Sequence, residues 1–233
     1  MVSISVQRGL MPHITQIAAQ DMSTNAKFSC YVSPKVPINE KAEQTTGISW
    51  DGERMTVHGT QVATVSISEA LSKFFNFLKN IGNVILIAHN GRVFDFRILS
   101  YTICRLGMMN EFLNYVLAFV DTFSLFRSKV PRIASYKQEF LAKHFCLESY
   151  NAHDAVDDVN MLAKILCASG TEKLDYVKHS YASNCHFLQE KYNLATTQNI
   201  DSLHCLVASG VLKLATAENI AGSGLNLSHL HKI

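Results

Sequence analysis

Val84-Ile-Leu-Ile-Ala-His-Asn-Gly-Arg-Val-Phe-Asp-Phe-Arg-Ile-Leu99 reads as an apolar strand that empties into a turn and then a helix. Residues 84–88 are continuously apolar, the signature of a central strand covered on both faces. His89-Asn-Gly91 supplies the turn chemistry. Helical spacing resumes at about Phe94 and runs through Ile98, Leu99 and Ile103 to Leu106, with Gly107 as the stop. Upstream, Ser68 is a good N-cap for a helix in which Leu71, Phe74, Phe75 and Leu78 form one apolar stripe, and Gly82 ends it. Downstream, Leu117-Ala-Phe-Val-Asp121 is a second strand that ends in an aspartate. The order helix, buried strand, helix, strand is an α/β arrangement, in which functional groups gather at strand ends and helix starts.

Towards the N-terminus, Val2, Ile4 and Val6 alternate with Ser3 and Ser5, which suits a short half-buried strand running to a turn at Gly9. Residues 13–19 and 28–32 read as two further strands joined by a polar turn at 21–25, so the chain opens as a meander. Residues 33–59 carry Pro34, Pro37, Gly47, Gly52, Gly59 and the single tryptophan, Trp50. They read as a long surface connection with helical character around 38–44. Residues 130–135 form a loop, and Ser135 caps a helix over about 136–145 with Phe140, Leu141 and His144 on its inner side. Past Ser169-Gly170 come short helical segments at about 172–178, 182–192, 200–208 and 215–220. The expected division is a principal domain at 1–170 and a helical extension at 171–233.

The second decisive stretch is Asn151-Ala-His-Asp-Ala-Val-Asp-Asp-Val-Asn-Met-Leu162. At about 100° per residue, Val159, Leu162, Ile165 and Leu166 share an apolar arc, and Asp158 falls inside it. Asp157 falls outside, beside Asn160 and Lys164. A carboxylate aimed at the packed side of a helix needs a hydrogen-bond donor, a counter-charge or a metal, because ionised and alone it costs several kcal/mol. Asp154 and Asp157 read as acidic residues placed at the positive end of the helix dipole.

The chain has 233 residues, 48% hydrophobic and 17% charged, enough for one sizeable core. A net charge of +2 with scattered basic residues leaves the partner open. The six cysteines, Cys30, Cys104, Cys146, Cys167, Cys185 and Cys205, lack C-x-x-C spacing and read as buried thiols in a reducing compartment. Cys185 beside His186 and His204 beside Cys205 do not signal zinc, since neighbours on a helix point about 100° apart. With no signal-peptide pattern and no run of 18 apolar residues, the expectation is an intracellular protein, nuclear or cytoplasmic, without membrane contact.

Asp95, following the apolar strand, and the His153-x4-Asp158 pattern together resemble the DEDDh family of 3′–5′ exonucleases. The Ala-His-Asn-Gly…Phe-Asp-Phe spacing is most similar to its three-prime repair exonuclease branch. Supporting matches are Thr45-Thr-Gly-Ile-Ser49, Val120-Asp-Thr122 and Ser135-Tyr-Lys137, and the resemblance covers roughly residues 12–167. A closer similarity is to the exonuclease-like C-terminal region of the long promyelocytic leukaemia protein isoform and its stand-alone fish relatives. It rests on His13-Ile-Thr-Gln-Ile-Ala-Ala19, Val177-Lys-His-Ser-Tyr181 and the helical stretch at 199–214. The implied fold is a ribonuclease-H-like mixed sheet flanked by helices, with a helical C-terminal extension.

In that family two divalent ions, Mg or Mn, held by carboxylates make hydroxide and stabilise the leaving oxygen of a phosphodiester. The resemblance makes Asp95 and Asp158 metal-associated acids and His153 the general base. It brings His89, Asn90 and Asp121 to the substrate side, although alone each reads as a turn or strand-end residue. The family's first motif, Asp-x-Glu on the opening strand, is missing. Anchoring on Gly9-Leu10 puts Ile4 and Val6 at its acidic positions, and a one-residue slip puts Ser3 and Ser5 there. Half the anionic charge of a two-ion centre is gone. The expectation is therefore an exonuclease-like protein with impaired catalysis and a retained cleft for a DNA or RNA 3′ end. The alternatives are an active 3′–5′ exonuclease and a module that binds a protein partner through the C-terminal helices.

Overall fold

The computed structural model describes residues 2–4, 12–150 and 152–230. Chain packing divides it into two units, Met1–Tyr181 and Ala182–Ile233. The first unit begins with β1 (Val2–Ile4), β2 (His13–Gln20) and β3 (Lys27–Val32). β1 and β2 are antiparallel, with Ser3 opposite Ile14 and Ile4 opposite His13, and β2 and β3 are antiparallel with Gln16 opposite Tyr31. This is the expected meander. Ser5, Val6 and Gly9 lie outside the described residues.

The connection at 33–59 holds more structure than its prolines and glycines suggested. Helix α1 (Glu40–Thr46), capped by Asn39, leads into a three-stranded meander of β4 (Ile48–Trp50), β5 (Met55–Val57) and β6 (Thr60–Val62). Ile38, Ile48 and Met55 form a small core with Ala155. Three-residue strands are too short to show a period in the sequence. β7 (Thr64–Val65) then pairs in parallel with β3.

Helix α2 (Ile67–Ile81) buries Leu71, Phe74, Phe75 and Leu78 as its stripe requires, and Gly82 closes it. Its N-cap is Ser66 rather than Ser68, because the Ser66 side chain accepts from Glu69 N. β8 (Val84–Ala88) follows, then α3 (Asp95–Arg105), α4 (Met109–Leu113) and β9 (Val116–Asp121). β8 and β9 are parallel, with Ala88 opposite Asp121, and β10 (Ser180–Ala182) borders β9. β8 is not covered on both faces throughout, since Ile85 is 41% exposed. Phe119 of β9 is fully buried, stacks on Phe96 at 4.5 Å and lies against Phe112.

α5 (Thr122–Lys129), α6 (Gln138–Cys146) and α7 (Ala155–Ala168) pack around Val120, Leu125, Phe126, Leu141, Ile165 and Leu166. α6 starts two residues later than its spacing suggested, with Lys137 at the N-cap and Ser135 Oγ accepting from Lys137 N. His144 is exposed, not inward. α8 (Lys173–His179) opens with a capping box of Glu172 and Asp175. The molecule is α/β, with mixed sheets flanked by helices in a ribonuclease-H-like arrangement and a helical C-terminal extension.

That extension contains one 26-residue helix, α9 (Ser183–Ala208), where two separate segments were expected, followed by α10 (Leu214–Gly222) and α11 (Leu227–Leu230). No glycine or proline interrupts residues 183–208, so nothing breaks the hydrogen-bond ladder. Leu203, Ala217 and Ala221 form its core. None of the six cysteines is buried: Cys30, Cys104 and Cys146 are half-buried, and Cys167, Cys185 and Cys205 are exposed. Among the described residues no helix is long and apolar enough to cross a membrane.

Candidate functional site

The parallel register of β8 and β9 delivers His89 and Asp121 to one end of the sheet. The His89 ring is bonded on both sides, with Nδ1 2.9 Å from Thr122 Oγ1 and Nε2 2.8 Å from the Tyr136 carbonyl. A carbonyl only accepts, so Nε2 carries the proton and Nδ1 accepts from the threonine hydroxyl. Burial lowers the His89 pKa below the usual histidine range, against upward pulls from the Tyr136 carbonyl and the carboxylates of Asp121, Asp95 and Glu139. Asp121 is buried and caps α5, its two oxygens accepting from Phe123 N at 2.9 Å and Arg92 N at 3.1 Å.

The turn between β8 and α3 is tightly built. Asn90 takes a left-handed backbone at φ 56°, and a Cβ at Gly91 would stand 2.5 Å from the Phe96 ring and 2.9 Å from Ala88 Cβ. Glycine is required there by close approach. Asp95 is the first residue of α3 and half-buried. The Arg92 guanidinium lies 4.1 Å above the Tyr181 ring, whose hydroxyl is pushed up to about 12 by burial.

The second group of candidate residues lies at the first turn of α7. Asp154 is its N-cap, with Oδ1 accepting from Val156 N and Asp157 N, and the Asp154 carbonyl accepting from Asp158 N. His153 precedes it in a left-handed conformation, φ 78°, with an exposed side chain. Asp158 lies on the packed side of α7, as its position in the apolar arc required. Burial raises its pKa above the ordinary carboxylate value, and the Tyr150 hydroxyl, the His153 backbone N–H and the nearby imidazole pull it back. Tyr150 is itself held far above the usual phenol range by burial and by the Asp158 carboxylate.

Three participants escaped the sequence reading. Tyr150 is half-buried beside Asp158, and each perturbs the other's titration. Gln138, at the start of α6, donates through Nε2 to the Asp158 carbonyl at 2.8 Å. Gln16, 1% exposed on β2, accepts at Oε1 from Ala155 N at 3.2 Å. For Gln16 the available signal was a polar residue interrupting an apolar stretch, between Ile14 and Ile17; Gln138, flanked by Lys137 and Glu139, carried none.

The donor set does not fit a two-ion Mg or Mn centre. Among the described residues no three His, Cys, Asp or Glu side chains converge as metal ligands. The residues outside that set, 1, 5–11, 151 and 231–233, contain no aspartate or glutamate. Asp21, the first acid in the chain, lies half-buried in the turn between β2 and β3, where its carboxylate accepts from the backbone N–H groups of Ser23 and Thr24. Two hard cations side by side need more carboxylate oxygens than Asp95 and Asp158 supply.

The exonuclease family model of RNase T type matches residues 9–166, and a model described as PML, C-terminal domain, matches residues 199–233. A DNA polymerase III of PolC type from Clostridium perfringens (strain 13 / Type A) is 32% identical over 168 residues. That match covers 71% of this chain and 10% of the relative, so the chain spans about a tenth of that protein's length. The Asp95 and His153-x4-Asp158 patterns, the ribonuclease-H-like fold and the match over 9–166 agree: the chain belongs to the DEDDh exonuclease family, and a PML-type C-terminal domain follows that region.

Proposed function

We propose that this protein is a catalytically impaired relative of the 3′–5′ exonucleases that keeps a cleft for the 3′ end of DNA or RNA. One observation carries the reading: the first twenty residues, which include β1 and β2, contain no carboxylate to set beside Asp95 and Asp158. Without those ligands His153 has no metal-activated water to deprotonate. In the retained cleft Asn90 and the Arg92 rim meet the substrate, while His89 and Asp121 shape the turn from beneath.

The test is incubation of the purified chain with 3′-labelled single-stranded DNA and RNA in Mg²⁺ or Mn²⁺. The expected result is binding with little or no product. Robust degradation abolished by Asp158→Ala would establish the active enzyme instead. Restoring the acids, as Ile4→Asp with Val6→Glu or Ser3→Asp with Ser5→Glu, should raise hydrolysis in one register.

A second reading concerns the helical extension. The match to the PML C-terminal domain and the exposed Leu188, Val211, Leu214 and Leu225 support a protein-binding role for that unit. A pull-down that needs residues 182–233 and is lost on Val211→Asp with Leu214→Asp would support it.

A further inference from the structure

The two family models match residues 9–166 and 199–233, so residues 167–198 fall outside both. Part of that stretch nevertheless enters the sheet that carries the candidate site, because β10 (Ser180–Ala182) borders β9. Tyr181 of β10 ends the first unit, and its ring lies against two buried aromatics, 5.7 Å from Phe119 and 6.4 Å from Phe96. Arg92 sits on that ring. It is held at two points, its backbone N–H on the Asp121 carboxylate at 3.1 Å and its guanidinium 4.1 Å above Tyr181. The residue is otherwise exposed, and among the described residues no carboxylate forms an ion pair with its guanidinium. A free surface arginine spreads over many rotamers, which a ligand has to freeze. Stacking on an aromatic face freezes them beforehand and leaves the charge and the outer N–H edge unspent. Packing alone would be served by an apolar side chain over the ring. The ordered cation belongs to the turn at the sheet end, three residues before Asp95.

We propose that Tyr181 is a positioning residue: from a segment beyond the exonuclease match, it holds the Arg92 guanidinium in place as the contact for one backbone phosphate of a single-stranded nucleic acid. The proposal rests on the nucleic-acid reading above and names the group that supplies its charge. Phosphate fits because the planar fork of N–H donors stays available at the guanidinium edge while its face is stacked.

The experiment uses the full chain in EDTA with fluorescein-labelled single-stranded DNA and RNA oligonucleotides, and anisotropy gives the dissociation constant from low to high salt. Arg92→Gln removes the charge at an exposed position and should lower the slope of log affinity against log salt by about 0.7, the value of one phosphate contact on a single strand. Tyr181→Leu keeps the charge and should leave that slope at the parent's value while weakening binding about three- to fivefold, the worth of one exposed cation–π contact. Tyr181→Phe keeps the ring and should bind within about 1.5-fold of the parent. The double variant Arg92→Gln with Tyr181→Leu should bind like Arg92→Gln alone, because the tyrosine acts through the arginine, whereas a merely structural role would add its own loss. Arg92→Gln is the independent arm if Tyr181→Leu does not fold. An unchanged slope in Arg92→Gln, parent-like binding in Tyr181→Leu or additive losses in the double variant would each overturn the proposal while leaving the nucleic-acid reading in place. An absence of binding by the parent would overturn that reading and this proposal with it.

Discussion

Replacing His89 by leucine tests the reasoning about the sheet end most directly. The ring makes two hydrogen bonds, to Thr122 Oγ1 and to the Tyr136 carbonyl, and Thr122 is fully buried. Each such bond contributes about 0.5–1.5 kcal/mol net, and leaving buried partners unsatisfied adds to the loss, so His89→Leu should cost about 2–4 kcal/mol at pH 7.5. Leucine keeps much of the volume, which separates the polar loss from a cavity effect. The pH dependence carries the sharper content. Burial lowers the folded-state pKa of His89 from its ordinary 6.5, so the unfolded chain binds the proton more readily. The contribution of His89 is therefore complete above 6.5 and declines as pH falls through that value. At pH 5.5 the parent should lose up to about 1.4 kcal/mol of its advantage over the leucine variant. His13, also lowered by burial and by Lys35 and Arg105, is common to both proteins and cancels in the difference. Urea denaturation followed by far-ultraviolet circular dichroism at pH 7.5 and 5.5 gives both numbers. A gap that stays constant or widens on acidification would refute the neutral, doubly bonded imidazole.

Asp158→Asn should behave in the opposite sense. The parent carboxyl is raised from 3.8 by burial, so its contribution is present below that value and lost as pH rises through the raised one. The asparagine variant should gain on the parent between acid and neutral pH, read as a flatter denaturation profile. Ser66→Ala should cost about 1 kcal/mol by removing the N-cap of α2, while Ser68→Ala should change little, and thermal melts of the two variants decide between the two caps. In the C-terminal unit, a Cβ at Gly222 would stand 2.2 Å from the Tyr192 ring. Gly222→Ala should therefore destabilise α9 and α10 by about 1–3 kcal/mol, visible as faster hydrogen exchange there.

The parts legible in the sequence were those with a period and a sharp end. The α2 stripe, the β8 and β9 runs and the α3 spacing each span enough residues for burial to impose a pattern. Asp158 was legible because a carboxylate inside an apolar arc is a conflict that demands a partner. The groups around that helix turn were not: Tyr150 beside Asp158, Gln138 on the Asp158 carbonyl and Gln16 on Ala155 N meet only through tertiary packing. The strands β4 to β6 were hidden because three-residue strands between glycines look like turns. The exposed thiols were misjudged because an apolar neighbourhood along the chain does not fix which way a side chain faces. His144 turned outward for the same reason.

The capping of α7 has a consequence for how a phosphate is met. A helix start is ordinarily a ready anion site, because its first N–H groups are unclaimed and its dipole is positive. Here Ala155, Val156, Asp157 and Asp158 donate to Gln16, Asp154 and the Asp154 carbonyl, so the positive end of α7 is already spent on an internal aspartate. An incoming phosphodiester would meet the Asp154 charge first. Its countercharge would have to come from cations elsewhere, such as Arg92 above the Tyr181 ring, and attraction of that kind grows or fades with the ionic strength of the surroundings.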